Sequence, residues 1–494
     1  MANLKKYEFW FIPGSQDLYG PETLEKVGIN AKKIADAFDN DPNIPGKVIC
    51  KPVVRNSEEI TKVIMDANND PDCTGIITWM HTFSPSKMWI RGLSLLQKPY
   101  LHINTQYNKS IPWDKIDMDY MNLHQSAHGD REHGFIGTRM GIPRKVVVGH
   151  WSNKVVTHKI GSWMRSAIGV YESKKLKVLR LSDNMRNVAV TEGDKVEAEI
   201  KLGWSVNHWA IGDLVAKMDE VTDAQIDAQM DKYAEDYEIA SDNIEAIRYQ
   251  AKIEVALRNM LEEGNFGAFT TNFEDLYGMK QLPGLAAQDL MKNGYGFGAE
   301  GDWKTAAMTR IIKLMSQDRP EGTAFMEDYT YNFEPGNEMI MGAHMLEVCP
   351  SIAHEKPRIE VHPLSIGGKE DPARLVFNGT EGSAIVVTLI DLGGRFRMIV
   401  NDIECITPEH DMPNLPVARV LWKPLPDLTT SAEAWILAGG AHHSVLTYAI
   451  TAEEMKDFAE MLGIECIHIN ADTNIDELKK ELRWNDIAWR LKEI

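Results

Sequence analysis

Glu327 lies in the run Thr323-Ala-Phe-Met-Glu-Asp-Tyr-Thr-Tyr-Asn-Phe333, which alternates as a β-strand does. Read as one regular strand, it points Phe325, Glu327, Tyr329, Tyr331 and Phe333 the same way. One carboxylate then shares a face with four aromatic rings. An unpaired carboxylate is costly to bury, so Glu327 calls for a cation, a proton or dense hydrogen bonds. Three other places supply groups that could meet that need. Glu300 stands in Gly296-Phe-Gly-Ala-Glu-Gly301. His344 lies in Glu338-Met-Ile-Met-Gly-Ala-His-Met-Leu-Glu-Val348, a run read as strand, with Gly342 leaving room beside the ring. Taken alone, that histidine reads more simply as a core residue bonded to a carbonyl. His442 and His443 follow an apolar run over 435–438, also read as strand, and Gly439-Gly440. Neighbours on an extended chain point opposite ways, so one of the two is expected to face a site; periodicity leaves open which.

Two carboxylates and two imidazoles make an N₂O₂ ligand set for a divalent metal. It is harder than a zinc–thiolate site and softer than an all-oxygen magnesium cage, so Mn²⁺, Co²⁺, Fe²⁺ and Zn²⁺ are all tolerable. The ligands are far apart in the chain, and no spacing rule supports the set. The segment 296–301 also matches GxGxxG, the mark of a dinucleotide site. That fingerprint must follow a strand, whereas 288–293 reads as helix. A glycine-rich turn that lets the backbone approach a ligand and presents Glu300 is the better reading. No Walker A, GxSxG, HExxH or Cys/His finger pattern is present. P-loop NTPase, serine hydrolase and zinc-finger readings lose support accordingly.

The elements that must position these groups change character along the chain. Strands over 7–12, 47–54, 75–79, 99–103 and 145–149 alternate with helices, which argues for a parallel sheet covered on both faces. Ligands bind such sheets at the carboxyl ends of the strands. A second α/β stretch has strands over 177–181 and 266–271 and long helices between them. After about residue 323, β runs separated by turns point to a mostly antiparallel, barrel-like domain, closed by two helices. The fold class is therefore α/β, with domains over 1–175, 176–325 and 326–494.

The net charge of −19 and the lack of a Lys/Arg cluster disfavour nucleic acid and anionic membrane surfaces as partners. No run approaches the ~20 apolar residues of a membrane span, and the apolar stretch near the start is too short for a signal peptide. Five scattered cysteines without a CxxC suit a reduced, cytoplasmic protein.

Several long blocks resemble those of the bacterial L-arabinose isomerase family, with its fucose isomerase-like fold. They are Gly294-Tyr-Gly-Phe-Gly-Ala-Glu-Gly-Asp-Trp-Lys-Thr-Ala-Ala307, Phe325-Met-Glu-Asp-Tyr-Thr-Tyr331, Gly342-Ala-His-Met-Leu-Glu-Val-Cys-Pro350 and Leu437-Ala-Gly-Gly-Ala-His-His443. Pro13-Gly-Ser-Gln-Asp-Leu-Tyr-Gly20, Trp79-Met-His-Thr-Phe-Ser-Pro85 and His124-Gln-Ser-Ala-His-Gly-Asp-Arg-Glu-His-Gly134 match as well. The resemblance implies an aldose–ketose isomerase of arabinose catabolism that uses Mn²⁺, with Co²⁺ as a substitute. It implies Glu300, Glu327, His344 and His443 as metal ligands, with the two glutamates as the acid/base pair. It further implies that Gln16, Leu18, Tyr19, Phe83 and His128, and less firmly Met185 and Phe273, line the sugar site. A hexamer with sites completed by a neighbouring subunit is also implied. The competing classes are a nicotinamide-dependent sugar oxidoreductase and a non-catalytic sugar-binding protein.

Overall fold

A computed structural model describes residues 3–364 and 366–492. The chain divides into two compact units, Met1–Tyr171 and Glu172–Ile494.

In the first unit, β1 (Glu8–Gly14), β2 (Lys47–Cys50), β3 (Cys73–Met80), β4 (Tyr100–Asn104) and β5 (Lys145–Val148) form one parallel sheet. Its order is β2-β1-β3-β4-β5. Helices cover both faces, so the central strands read as continuous apolar runs; every residue of β3 is buried. The strand order reverses between β1 and β3, which opens a crevice beyond their carboxyl ends. Gln16 follows β1 there and Phe83 follows β3.

The second unit begins with β6 (Lys177–Leu181), β7 (Ser205–Trp209), β8 (Glu238–Ile239), β9 (Ala268–Thr270) and β10 (Gly296–Gly298). Four of these make a parallel sheet in the order β10-β9-β6-β7. Next come β11 (Thr323–Asn332), β12 (Met339–Ala343), β13 (Arg358–Val361) and β14 (Ala373–Val376). The last strands are β15 (Gly382–Asp391), β16 (Phe396–Ile406), β17 (Arg419–Pro424), β18 (His443–Thr447) and β19 (Glu465–Ile469). Antiparallel pairing runs β15-β18-β11-β12-β17-β16, and β15 pairs with β16 to close the ring. Closure leaves that ring without a free edge; β19 adds in parallel to β16. The fold is thus two parallel α/β sheets and a closed antiparallel barrel. The buried helix Trp303–Met315 packs against both β10 and β11 and so ties the second sheet to the barrel.

Four local expectations are corrected. The run 435–438 is not strand; it ends the helix Leu428–Ala438, which Asp427 caps and Gly439 terminates in the left-handed conformation. A short, wholly apolar run cannot separate the two states by periodicity. The strand expected over 339–348 stops at Ala343. Nor is the aromatic face of β11 formed. The register passes from Glu327↔Ala343 and Asp328↔Gly342 to Thr330↔Met341, so a bulge at Tyr329 reverses the alternation. Phe325 is buried, but Tyr329, Tyr331 and Phe333 are exposed, the last at 65%. The room expected beside His344 is also taken: a Cβ on Gly342 would meet the Trp422 ring at 2.1 Å.

Buried imidazoles make the first unit sensitive to acid. His81 is fully buried beyond β3, stacked on Trp79 and bonded to Asn30 at 2.9 Å. Burial, with His124 adding to it, pushes its pKa down to about 3. An unfolded imidazole titrates near ~6.5. Between those values the unfolded chain binds the proton and the folded one does not. The stability His81 contributes is therefore complete above pH ~6.5 and is lost as pH falls towards about 3. The thermal midpoint should drop on acidification below pH ~6.5, and His81→Gln should flatten that slope. Calorimetric scans from about pH 8 to about pH 4 test this. Parallel slopes for the two proteins would remove His81 as the cause.

Candidate metal centre

The register of the barrel assembles most of the site. On β11, Glu327 pairs with His443, the first residue of β18, and on its other side with Ala343, the residue before His344. Three residues distant in sequence are thereby set side by side at one end of the barrel. Glu300 arrives from the other sheet, just beyond β10, with a left-handed φ of 60°. A non-glycine residue there costs roughly 1–3 kcal/mol and persists only where its surroundings hold it. They do: Met185 N donates to Glu300 O at 3.0 Å, and Gly301 N to Thr271 O at 3.1 Å.

The glycines before Glu300 serve this packing. A Cβ at Gly296 would meet Ala306 O at 2.1 Å, and one at Gly298 would meet Asp302 O at 2.4 Å. They let β10 lie against the helix Trp303–Met315, and they do not open the backbone to a ligand as expected. The GxGxxG segment itself forms β10 instead of following a strand, which removes the basis of the nicotinamide reading.

Glu300, His344 and His443 each present a ligand atom within 4.8 Å of the others. Two ligands each about 2.2 Å from one ion lie at most ~4.4 Å apart, so this spread is close to a binding geometry. Glu327 Oε2 lies 3.9 Å from His344 Nε2, and Glu300 Oε2 lies 3.9 Å from His443 Nε2. His443 is fully buried, and its Nε2 has no hydrogen-bond partner. A buried nitrogen left unpaired beside a carboxylate is what a cation would satisfy. His442 also reaches Glu300, at 3.4 Å, so both histidines approach the site. His442 precedes the strand, and strand alternation does not govern it.

Two further carboxylates fix the rings. His344 Nδ1 lies 2.5 Å from Glu347 Oε2, and His443 Nδ1 lies 3.2 Å from Asp302 Oδ2. A carboxylate accepts, so each ring donates its Nδ1–H and turns Nε2 towards the cluster. The Phe325 ring stands edge-on to both imidazoles, 5.0 Å from each. Asp302 and Glu347 were not anticipated, although each lies two or three residues beyond a proposed ligand. Burial opposes the charge of Asp302, but the Lys304 ammonium and the His443 bond outweigh it and hold its pKa well below the usual range. Burial likewise opposes the charge of Glu300, whose pKa is lowered by the bond from His442 and by His443 and His344. For His344, burial is outweighed by Glu347, Glu327 and Glu300, and the pKa rises. For His443 burial wins, and the pKa falls.

A cavity of about 240 Å³ opens on the cluster, bounded by Glu300, Glu327, His344, Phe273, Tyr329 and Ile366 among others. Phe273 thus lines the space beside the proposed ligands, whereas Met185 is tied to Glu300 through the backbone alone and is not one of the residues that bound the cavity. In the first unit, Gln16 Nε2 donates to Phe83 O at 3.0 Å, and the Phe83 and His128 rings stack 4.5 Å apart. These three gather at the crevice between β1 and β3. Leu18 and Tyr19 lie beside them in the turn after β1, and Leu18 is 82% exposed.

Family models described as the N-terminal, central and C-terminal domains of L-arabinose isomerase match residues 3–175, 177–318 and 322–465. The chain is 59% identical to L-arabinose isomerases of Geobacillus thermodenitrificans and Geobacillus stearothermophilus, over 99% of this chain and 100% of each relative. It is 58% identical to the L-arabinose isomerase of Thermotoga maritima, over 99% of both chains.

If Glu347 orients His344 for a cation, Glu347→Ala should weaken Mn²⁺ binding about 10- to 100-fold. Calorimetric titration of metal-stripped protein measures this, with circular dichroism to check the fold. Unchanged affinity would deprive Glu347 of that role.

Proposed function

The chain belongs to the L-arabinose isomerase family, and from that membership and the site's geometry we propose that it converts L-arabinose to L-ribulose by metal-assisted proton transfer. D-Galactose shares the configuration at the reacting end, so its conversion to D-tagatose belongs to the same proposal. The observation that carries the reading is the convergence of Glu300 and Glu327 with two imidazoles whose Nε2 atoms are turned inward.

Interconverting an aldose and a ketose moves one proton between C2 and C1 and another between O1 and O2. A base must take the C2 proton and return it to C1, while an acid serves the oxygens. Glu300 and Glu327 are the carboxylates facing the cavity and take these two roles, one on each side of a cis-enediol. Glu300, Glu327, His344 and His443 would hold Mn²⁺, with Co²⁺ as a substitute. Bound there, the ion supplies positive charge against the developing enediolate. The bond from His442 and the nearby His443 and His344 rings favour the charged form of Glu300 against its burial. Phe273 and Ile366 are apolar walls of the cavity and restrict water around the sugar.

Gln16, Leu18, Tyr19, Phe83 and His128 complete a sugar site in a hexamer whose subunits share their sites. Exposed Leu18 (82%) and Trp113 (79%) support a contact of the first unit with another copy. Five free thiols support a reducing, cytoplasmic setting. Among the described residues, no helix is long and apolar enough to cross a membrane.

Chelation with EDTA should abolish ketose formation from L-arabinose, and Mn²⁺ should restore it. A panel of aldoses assayed in this way tests the substrate as well. Glu300→Gln and Glu327→Gln should each lower kcat by at least ~10²-fold with the fold intact; near-normal turnover in either would overturn its role. In heavy water the enediol route puts solvent deuterium into the product. Its complete absence would favour a hydride shift between C2 and C1.

A further inference from the structure

Lys304 is a charged side chain the proposed reaction does not use, yet it is 1% exposed. It is the second residue of the helix Trp303–Met315. Its Nζ donates to Thr191 O at 2.9 Å and to Glu192 O at 2.6 Å, and lies 3.6 Å from Asp302 Oδ1. The opposite oxygen of Asp302, Oδ2, accepts from Thr305 Oγ1 at 2.7 Å and pairs with His443 Nδ1 at 3.2 Å. An ammonium, a carboxylate and an imidazole therefore stand in line, and the line ends at the unpaired Nε2 of His443.

The same lysine braces the loop that carries Glu300. Thr191 O, one of its acceptors, also receives Asn184 Nδ2 at 2.6 Å, and that amide donates to Gly301 O at 3.1 Å. A Cβ on Gly301 would meet Asn184 Cα at 2.6 Å, so the two segments are in close contact. Lys304 is thus linked to His443 through Asp302, and to Gly301, the residue after Glu300, through Thr191 and Asn184.

We propose that Lys304 is a positioning residue for the metal centre, setting its cation affinity through Asp302 and His443. The inference rests on the metal reading above and adds a residue outside the ligand set and its direct carboxylate partners. A bare carboxylate in this dry place would be costly. Lys304 balances its charge, which lets Asp302 remain a full acceptor for the His443 Nδ1–H. The ring then keeps its inward Nε2 lone pair. The two carbonyl bonds hold the ammonium in place, so the effect requires no movement on binding.

The test is a double-mutant cycle on Mn²⁺ affinity, measured by calorimetry on metal-stripped full-length protein. Wild type, Lys304→Gln, Asp302→Asn and the double variant are compared. Lys304→Gln should weaken binding about tenfold on its own, within the usual range for outer partners of a ligand. In the Asp302→Asn background it should cost less than about twofold more. Lys304→Arg should retain most of the wild-type affinity. Wild-type-like binding by Lys304→Gln, or an equal loss in both backgrounds, would overturn the inference. If Lys304→Gln and Lys304→Met both fail to fold while Lys304→Arg folds, the charge serves the fold alone and the inference falls. A wild-type protein that binds no Mn²⁺, or binds it equally after His443→Ala, would instead overturn the metal reading itself.

Discussion

At one end of the barrel, two imidazole rings each give their Nδ1–H to a carboxylate, His344 to Glu347 and His443 to Asp302. The rest of the site depends on those two bonds. They set which nitrogen of each ring faces Glu300 and Glu327, and so whether the cluster is a basic pocket or a set of histidine–carboxylate pairs. Freed from them, either ring could turn over and offer the glutamates an N–H donor in place of a lone pair. Held as they are, the rings turn Nε2 lone pairs towards the two glutamates. The barrel provides the alignment. Because β11 runs between β18 and β12, one strand register puts Glu327 beside both rings. A one-residue slip of that register would turn Glu327 to the opposite face.

The electrostatics follow from the same arrangement. Burial alone would neutralise these acids, since desolvation disfavours charge. Asp302 and Glu300 nonetheless have lowered pKa values, each because specific partners outweigh burial. The two rings differ in turn. His344 has three carboxylates close by and gains affinity for a proton, whereas His443 does not. A cation that displaces the proton from His344 relieves the same negative field that attracts the proton. Any metal held at that nitrogen would therefore compete with the proton.

What could be read from the residues alone divides along physical lines. Lys177-Val-Leu-Arg-Leu181 and most strands of the first unit are apolar, β-rich and bounded by turn residues, and they form close to the bounds read; the strand expected over 47–54 stops at Cys50. Ser205-Val-Asn-His-Trp209 is also a strand, but it lies at a partly exposed edge, where a polar composition hides the signal. The run 435–438 shows the limit of hydrophobicity: its helix is marked by the Asp427 cap and by Gly439, not by period. The bulge at Tyr329 is invisible to alternation because it breaks the rule used to find it. The charge problem of Glu327 could be seen from sequence. The aromatic wall expected around it could not be, since it required a regular strand. Asp302 and Glu347 carried a signal in their spacing from Glu300 and His344. It gains meaning only once a ring is known to sit between each carboxylate and the cluster.

Glu300 shows why the two sheets must be joined so rigidly. Its φ of 60° suits glycine, and glycine has no carboxylate to offer. Glycine occupies the neighbouring positions where contact requires it, at 296, 298 and 301, and position 300 bears the strain. Such strain survives only if the alternatives are worse. Here Gly296 and Gly298 press β10 onto the helix Trp303–Met315, Asn184 holds Gly301, and Met185 bonds the Glu300 carbonyl. Relaxing Glu300 to an ordinary conformation would break those contacts together. The helix that enforces them begins at Asp302 and packs on β11, the strand of Glu327. The spacing of the two glutamates is therefore set through one helix, and its first turn also holds the partner of His443. A loop long enough to relax would be easier to form, but it would not hold Glu300 at a fixed place against Glu327 and the two imidazoles.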